Sequence, residues 1–323
     1  MTVKKVLNVF SLVMINIIAV DSLRSLPFSA EYGFSLVFFY LLAGLMFFWP
    51  VALVSAELAT AFPSKGGIYV WVREAFGEFW GFMVIWLQWV YNIAWYPTIL
   101  SFIGVAIAFV IHPSLADNKA FILVLIMVVY WGATLVNFCG MKISSWVSNV
   151  GALLGTLLPM VFIIILAMIW LLTGHSSQIT FSSHTFFPDF QDSDLLSFLM
   201  AILFGLVGIE LSAVHADQVD DPGRSYPRAI LYSTVIILVS LILSSLAIAI
   251  VVPKRELSVV TGLLQALEIY LRSFHLAWVL PIITIFIVFG GISSVATWII
   301  GPAKGLLVAV QDGNAPEILA RMN

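Results

Sequence analysis

The stretch FGLVGIELSAVHADQVDDP, residues 204–222, begins inside the apolar run 195–209 and has become polar and acidic by Asp217. Gly205 and Gly208 place two residues of low helix propensity in that run. Glu210 follows, a carboxylate at membrane depth with no Lys or Arg near it in sequence. In hydrocarbon every free N–H or C=O must find a partner, so a weakened helix survives only against protein or a water-lined cavity. An ionisable residue in such a place is by default a functional candidate. The stretch predicts an interrupted helix at a substrate site. A structural hydrogen bond to a neighbouring helix is the plainer alternative for Glu210. Burial disfavours the charged form of a carboxylate, which makes Glu210 the candidate for a proton-linked gate.

Composition sets the class around this stretch. Of 323 residues, 62% are hydrophobic and 10% charged, with a mean hydropathy of +1.09. Apolar runs of about twenty residues recur along nearly the whole chain, each long enough to cross a ~30 Å hydrocarbon layer. A net charge of −3 is too small to argue for nucleic acid. The single cysteine, Cys139, excludes an internal disulfide, and the five scattered histidines show no metal-ligand spacing. No cofactor or metal is expected. The first apolar run is followed by Asp21, Arg24 and Pro27 rather than by a small-residue cleavage site, so it is not a convincing signal peptide.

Eight spans are predicted, at 6–25, 34–62, 79–111, 121–138, 146–173, 195–216, 229–252 and 277–310. Pro50, Pro97 and Pro159 are the expected kink points of the second, third and fifth. With the N-terminus inside, the cytoplasmic side holds Lys4, Lys5, Lys65, Arg73, Lys142, Arg224, Arg228, Lys304 and Arg321. The outer side holds Lys119, Lys254, Arg255 and Arg272, and Arg24 lies in the first span. The positive-inside rule therefore favours a cytoplasmic N-terminus. The loop 175–194 has no Lys or Arg, in keeping with an outer position.

The first span repeats the oddity of the sixth. IIAVDSLRSLP sets Asp21, Ser22 and Arg24 in apolar surroundings and ends in Pro27. Proline disfavours helix at Leu26, and Ser22 and Ser25 can bond local backbone instead. Two readings stand: Asp21 and Arg24 neutralise each other near the outer interface, or a second broken helix faces a central cavity. Interrupted first and sixth spans occupy corresponding positions if five-helix halves repeat with inverted topology, which points to a transporter's midplane site.

Several stretches carry a family resemblance: GFSLVFFYLLAG at 33–44, FWPVALVSAELAT at 48–60, GGIYVWV at 66–72, TFFPDF at 185–190, DPGRSYPRA at 221–229 and ATWIIGPAKG at 296–305. With them the chain resembles the amino acid–polyamine–organocation superfamily, and within it the bacterial glutamate/GABA antiporter group. The resemblance implies an all-α integral membrane protein of LeuT-type inverted-repeat fold, with helices one and six broken around a zwitterionic substrate. It implies exchange of a glutamate-like amino acid against its decarboxylated, GABA-like amine across the bacterial cytoplasmic membrane. The backbone of Asp21, Ser22 and Leu23 would cradle the substrate carboxylate, with Arg24 beside it. Phe204, Gly205, Leu206 and Gly208 would face the amine, Phe204 as a gating aromatic. Glu210 matches a glutamate common in the group, and Trp298 a tryptophan lining the cavity from helix eight. Where relatives carry a glycine-rich break in helix one, this chain has Val-Asp-Ser-Leu-Arg, which bears on the substrate more than on the fold.

The physics of such a site is independent of the resemblance. Half-helix N-termini suit a carboxylate, and exposed carbonyls at half-helix C-termini suit an ammonium. On the third span Gln88, Asn92 and Tyr96 recur every four residues and share one face. Asn92 is the substrate candidate among them, with interhelical hydrogen bonding as the alternative. DDPGRSYPRA is expected to be a helix exit with a turn at Pro222 and Gly223. An intramembrane enzyme would need paired catalytic groups or metal ligands at depth, and none converge in the sequence. A non-transporting sensor or subunit is the second function class, since a scaffold can lose transport and keep its motifs.

The expected organisation is a first five-helix repeat at 1–174, an extracytoplasmic loop at 175–194 and a partial second repeat, helices six to eight, at 195–323. Measured against the family pattern of twelve helices, the second repeat is incomplete. The eight spans alone are expected to insert in the lipid bilayer without exchanging substrate. The expected partners are an amino acid substrate and either a homo-oligomer or separately encoded C-terminal helices.

Overall fold

A computed structural model describes residues 5–64, 66–191, 194–314 and 316. Three of the cations used for orientation, Lys4, Lys65 and Arg321, lie outside the described residues. Among the described residues, eight helices are long and apolar enough to cross a membrane: Val9–Ala30, Gly33–Ala61, Glu78–Ile111, Lys119–Phe138, Met141–Leu172, Leu195–Gln218, Pro222–Val251 and Ala277–Gln311. The protein is an all-α, multi-pass membrane protein. Between the second and third spans lies an amphipathic helix, Ile68–Phe76, and between the seventh and eighth another, Gly262–Ser273.

Three bounds differ from the sequence expectation by five residues or more. The first span continues past residue 25 because Pro27 occupies the opening turn of a new helical piece, Leu26–Ala30, where a missing N–H costs nothing. The seventh begins at Pro222 for the same reason, so Pro222 and Gly223 start a helix instead of making a turn. The fifth begins at Met141, so its helix takes in Lys142, Ser144, Ser145, Ser148 and Asn149.

The prolines behave in two ways. Pro50 and Pro159 each follow directly on a π-helical segment, Gly44–Phe48 and Gly151–Leu157. A wider turn there removes the clash that a proline makes with the carbonyl four residues back. Pro97 instead sits inside an uninterrupted helical run, Glu78–Ile111.

The first span is the centre of the bundle and packs against the fifth, sixth, seventh and eighth. The eighth crosses the fifth with almost no separation. A Cβ added to Gly155 would lie 2.3 Å from Gly290 Cα, so only glycines allow the two backbones this approach. On the side of the N-terminus, Val6 and Leu7 N–H donate to Gln218 O at 3.0 and 3.1 Å, and Asp220 N–H donates to Leu7 O at 3.0 Å. The entry of the first span is thereby tied to the exit of the sixth. Lys304 of the eighth adds a tie by donating to His215 Nδ1 at 2.7 Å and to Gln218 Oε1 at 3.2 Å. Arg73, on the amphipathic helix Ile68–Phe76, pairs with Asp312 just past the eighth span.

Candidate functional site

Both predicted breaks are present. The first span is α-helical over Val9–Val20, leaves helical geometry at Asp21 and Ser22, and resumes as a 3-10 turn at Leu23–Ser25. The sixth is α-helical over Leu195–Gly205, turns at Leu206–Gly208 and continues as 3-10 helix over Ile209–Gln218. Gly208 makes the turn with φ +121°, a backbone few side chains tolerate. Gly205 stays inside the α-helix, so of the two glycines singled out only Gly208 forms the break.

Each break exposes the ends of two half-helices, and the protein satisfies some of these ends itself. Gly208 N–H donates to Glu210 Oε2 at 3.2 Å, so this carboxylate caps the half-helix it belongs to. Trp298 Nε1–H donates to Ala19 O at 2.9 Å, near the end of the first half of the first span. Trp298 is 1% exposed. In this closed form it packs against both breaks, at Ala19 O of the first and Gly208 of the sixth. Its ring stacks on Tyr91 at 5.4 Å and meets Trp95 at the same separation. A Cβ on Gly208 would lie 2.9 Å from the Trp298 ring.

The second half of the first span begins at Leu23. Its opening N–H groups have no acceptor within their own helix, which leaves this end suited to an anion. Ser22 is partly buried and extended in backbone, and Leu23 is buried. Arg24 does not close on Asp21: no ion pair within 4 Å joins Arg24 to Asp21 or Glu210 among the described residues. Asp21 instead accepts a hydrogen bond from Ser240 at 2.7 Å. Arg24 Nε is buried with no hydrogen-bond partner among the described residues. The Tyr91 hydroxyl lies within electrostatic reach of both Glu210 and Arg24.

Phe204 covers this group. It is 44% exposed and meets the Tyr91 ring at 4.7 Å. Leu206 is buried beneath the turn. Asn92 is 1% exposed, and neither polar atom of its amide has a hydrogen-bond partner among the described residues. Its chain neighbour Tyr91 is the residue of the third span that touches Phe204 and Trp298. Tyr91 sits about 100° and Trp95 about 60° around the helix from Asn92, both on the same side. The periodicity of polar residues thus led to Asn92, while the aromatic pair Tyr91 and Trp95, four residues apart to one side of that face, packs against Trp298. Nothing in the sequence alone distinguishes those rings from packing aromatics.

The site is closed on both sides. Away from the N-terminus, Phe198 stacks on Tyr32 at 3.4 Å and contacts Phe28 and Phe39 at 5.4 and 4.8 Å. Beyond that layer an open pocket of about 420 Å³ includes Glu31, Asp189 and Lys254. At the breaks the cavities are of about 20 Å³, one bordered by Asp21, Ser22 and Leu23, the other by Ser25, Ser29, Tyr40 and Gly205. Each has room for about one water, so a larger solute reaches the breaks only when the helices part.

Comparison with known proteins agrees with this architecture. A family model described as amino acid permease matches residues 6–323. An uncharacterized transporter of Legionella pneumophila is 53% identical over 320 residues, which cover 99% of this chain and 69% of the relative. A glutamate/gamma-aminobutyrate antiporter of Lactococcus lactis subsp. cremoris is 30% identical over 324 residues, covering 99% of this chain and 64% of the relative. A probable agmatine/putrescine antiporter of Lactococcus lactis subsp. lactis is 23% identical over 320 residues, covering 98% and 67%. The chain thus spans 64–69% of the length of these relatives.

Proposed function

The chain belongs to the amino acid permease family, and on that premise we propose that it takes part in amino acid antiport by alternating access. The substrate is a glutamate-like amino acid, exchanged for its decarboxylated, GABA-like product. The observation that carries this reading is the pairing of two helix breaks at the middle of the bundle, with Arg24, Tyr91 and Glu210 between them. The free end at Ser22, Leu23 and Arg24 binds the substrate's α-carboxylate, and the Arg24 guanidinium makes charge-assisted hydrogen bonds to its side-chain carboxylate. Glu210 and the carbonyls at the end of Leu195–Gly205 take the ammonium, with Phe204, Gly205, Leu206 and Gly208 shaping that side. Trp298 and Tyr91 form the floor, and Phe204 is the moving aromatic. Proton linkage is assigned to Glu210, and Asn92 supports the floor from the third span.

In this reading the protein lies in the bacterial cytoplasmic membrane with its N-terminus inside, as its cations favour. The aromatic layer around Phe198 is the outer gate. The ties at Leu7–Val219 and Lys304–His215 are the inner one.

Substrate counterflow in proteoliposomes tests the proposal. Uptake of labelled glutamate that depends on glutamate or GABA inside the vesicle supports antiport. Specific binding with no exchange supports a non-transporting sensor or subunit instead.

A further inference from the structure

Asp21 turns its side chain to the seventh span, away from Arg24. It is 2% exposed, its Oδ2 accepts from Ser240, and its Oδ1 has no hydrogen-bond partner among the described residues. Ser240, Ser244 and Ser245 lie within six residues of one helix and are all buried, and the hydroxyls of Ser244 and Ser245 are also unpartnered among the described residues. Tyr40 of the second span is buried as well. Its hydroxyl shares a hydrogen bond with Ser29 at 2.9 Å. Ser29 and Tyr40 in turn border the water-sized cavity that also includes Ser25.

The charged groups around Asp21 are few. The seventh span faces it with serines, and the second with Tyr40. The third, fifth and eighth spans meet it across the other small cavity with Ile99, Phe102, Thr156, Ile287, the two glycines Gly290 and Gly291, and Ser294, none of them charged. Arg24, the other ionisable residue of the first break, makes no ion pair with Asp21 among the described residues, and Glu210 holds the amide of Gly208. A carboxylate removed from water without a cation beside it is costly, and one hydroxyl donor offsets only part of that. A proton on Oδ1 removes the charge.

We propose that Asp21 is a proton-binding site, its carboxyl group held in place by the Ser240 hydroxyl. In the binding step an O–H bond forms at Asp21 Oδ1 as one breaks in hydronium, which is left as water, and release reverses both. This site is separate from Glu210 and does not depend on exchange activity. The alkali-ion alternative would need several oxygens around one point, and Asp21 has a single hydroxyl within hydrogen-bond distance.

Infrared difference spectra of the purified full chain in lipid, recorded between acid and neutral pH, test this. The expected result is a protonated-carboxyl band that is lost in Asp21→Asn, shifted in Ser240→Ala and retained in Glu210→Gln. Ser240→Ala keeps the carboxylate, so its shift assigns the band even if Asp21→Asn does not fold. A band that survives Asp21→Asn, or one indifferent to Ser240→Ala, overturns the proposal. So does a carboxylate signal that follows sodium at fixed pH and ignores pH.

Discussion

Glu210 stands two residues past the turn and holds the amide of Gly208. A glutamine there still accepts that hydrogen bond, so Glu210→Gln isolates the charge from the cap. We expect the variant to fold and the pH dependence of exchange to flatten; an unchanged pH profile counts against a proton-linked role. For Arg24 the relevant fact is the unpartnered Nε. Lysine keeps the charge and loses the planar fork. Charge-assisted hydrogen bonds contribute about 1.5–3 kcal/mol, so Arg24→Lys should weaken glutamate binding by roughly tenfold or more, and a neutral amino acid by much less. An equal loss for both ligands contradicts a contact to the side-chain carboxylate. Trp298→Phe keeps most of the ring and removes the donor to Ala19 O. The expected cost is about 1 kcal/mol, read as a lower unfolding midpoint in detergent.

At the scale of an element, the two glycines of the sixth span make a controlled comparison. Gly208 has φ +121°, and a Cβ added there would lie 2.9 Å from the Trp298 ring, whereas one added at Gly205 meets nothing within 4 Å. Gly208→Ala should destabilise the protein by more than about 1 kcal/mol. Gly205→Ala should be neutral or stabilising by up to ~1 kcal/mol through helix propensity. Equal effects in thermal unfolding would contradict the assignment of the break to Gly208. Both breaks were legible in sequence because charge and glycine are costly inside an apolar run. Their exact form was not legible: 3-10 geometry over Ile209–Gln218 has no residue signature, and Pro27 and Pro222 are compatible with either a turn or a helix start. Tyr91 and Ser240 were missed because their roles depend on which helix lies opposite, and that is set by packing between distant spans.

For the whole molecule, the spans and their number followed from apolar run lengths, since hydrocarbon thickness dictates them. The closure of the bundle on both sides did not, because the Phe198 layer and the Leu7–Val219 bridge join residues far apart in the chain. In this closed form the breaks have room for about one water each, so substrate binding must separate the aromatic layer or the inner ties. The central claim is that the two breaks together hold one molecule by its carboxylate and its ammonium. Equilibrium binding of labelled glutamate to the purified chain, competed by chemically simpler analogues, tests it most directly. Glutamate and GABA should compete, while an amine without a carboxylate and a carboxylate without an amine should each be weaker by roughly tenfold or more, since each leaves one buried partner unpaired. Equal competition by either half-molecule, or no saturable binding at all, would contradict the account.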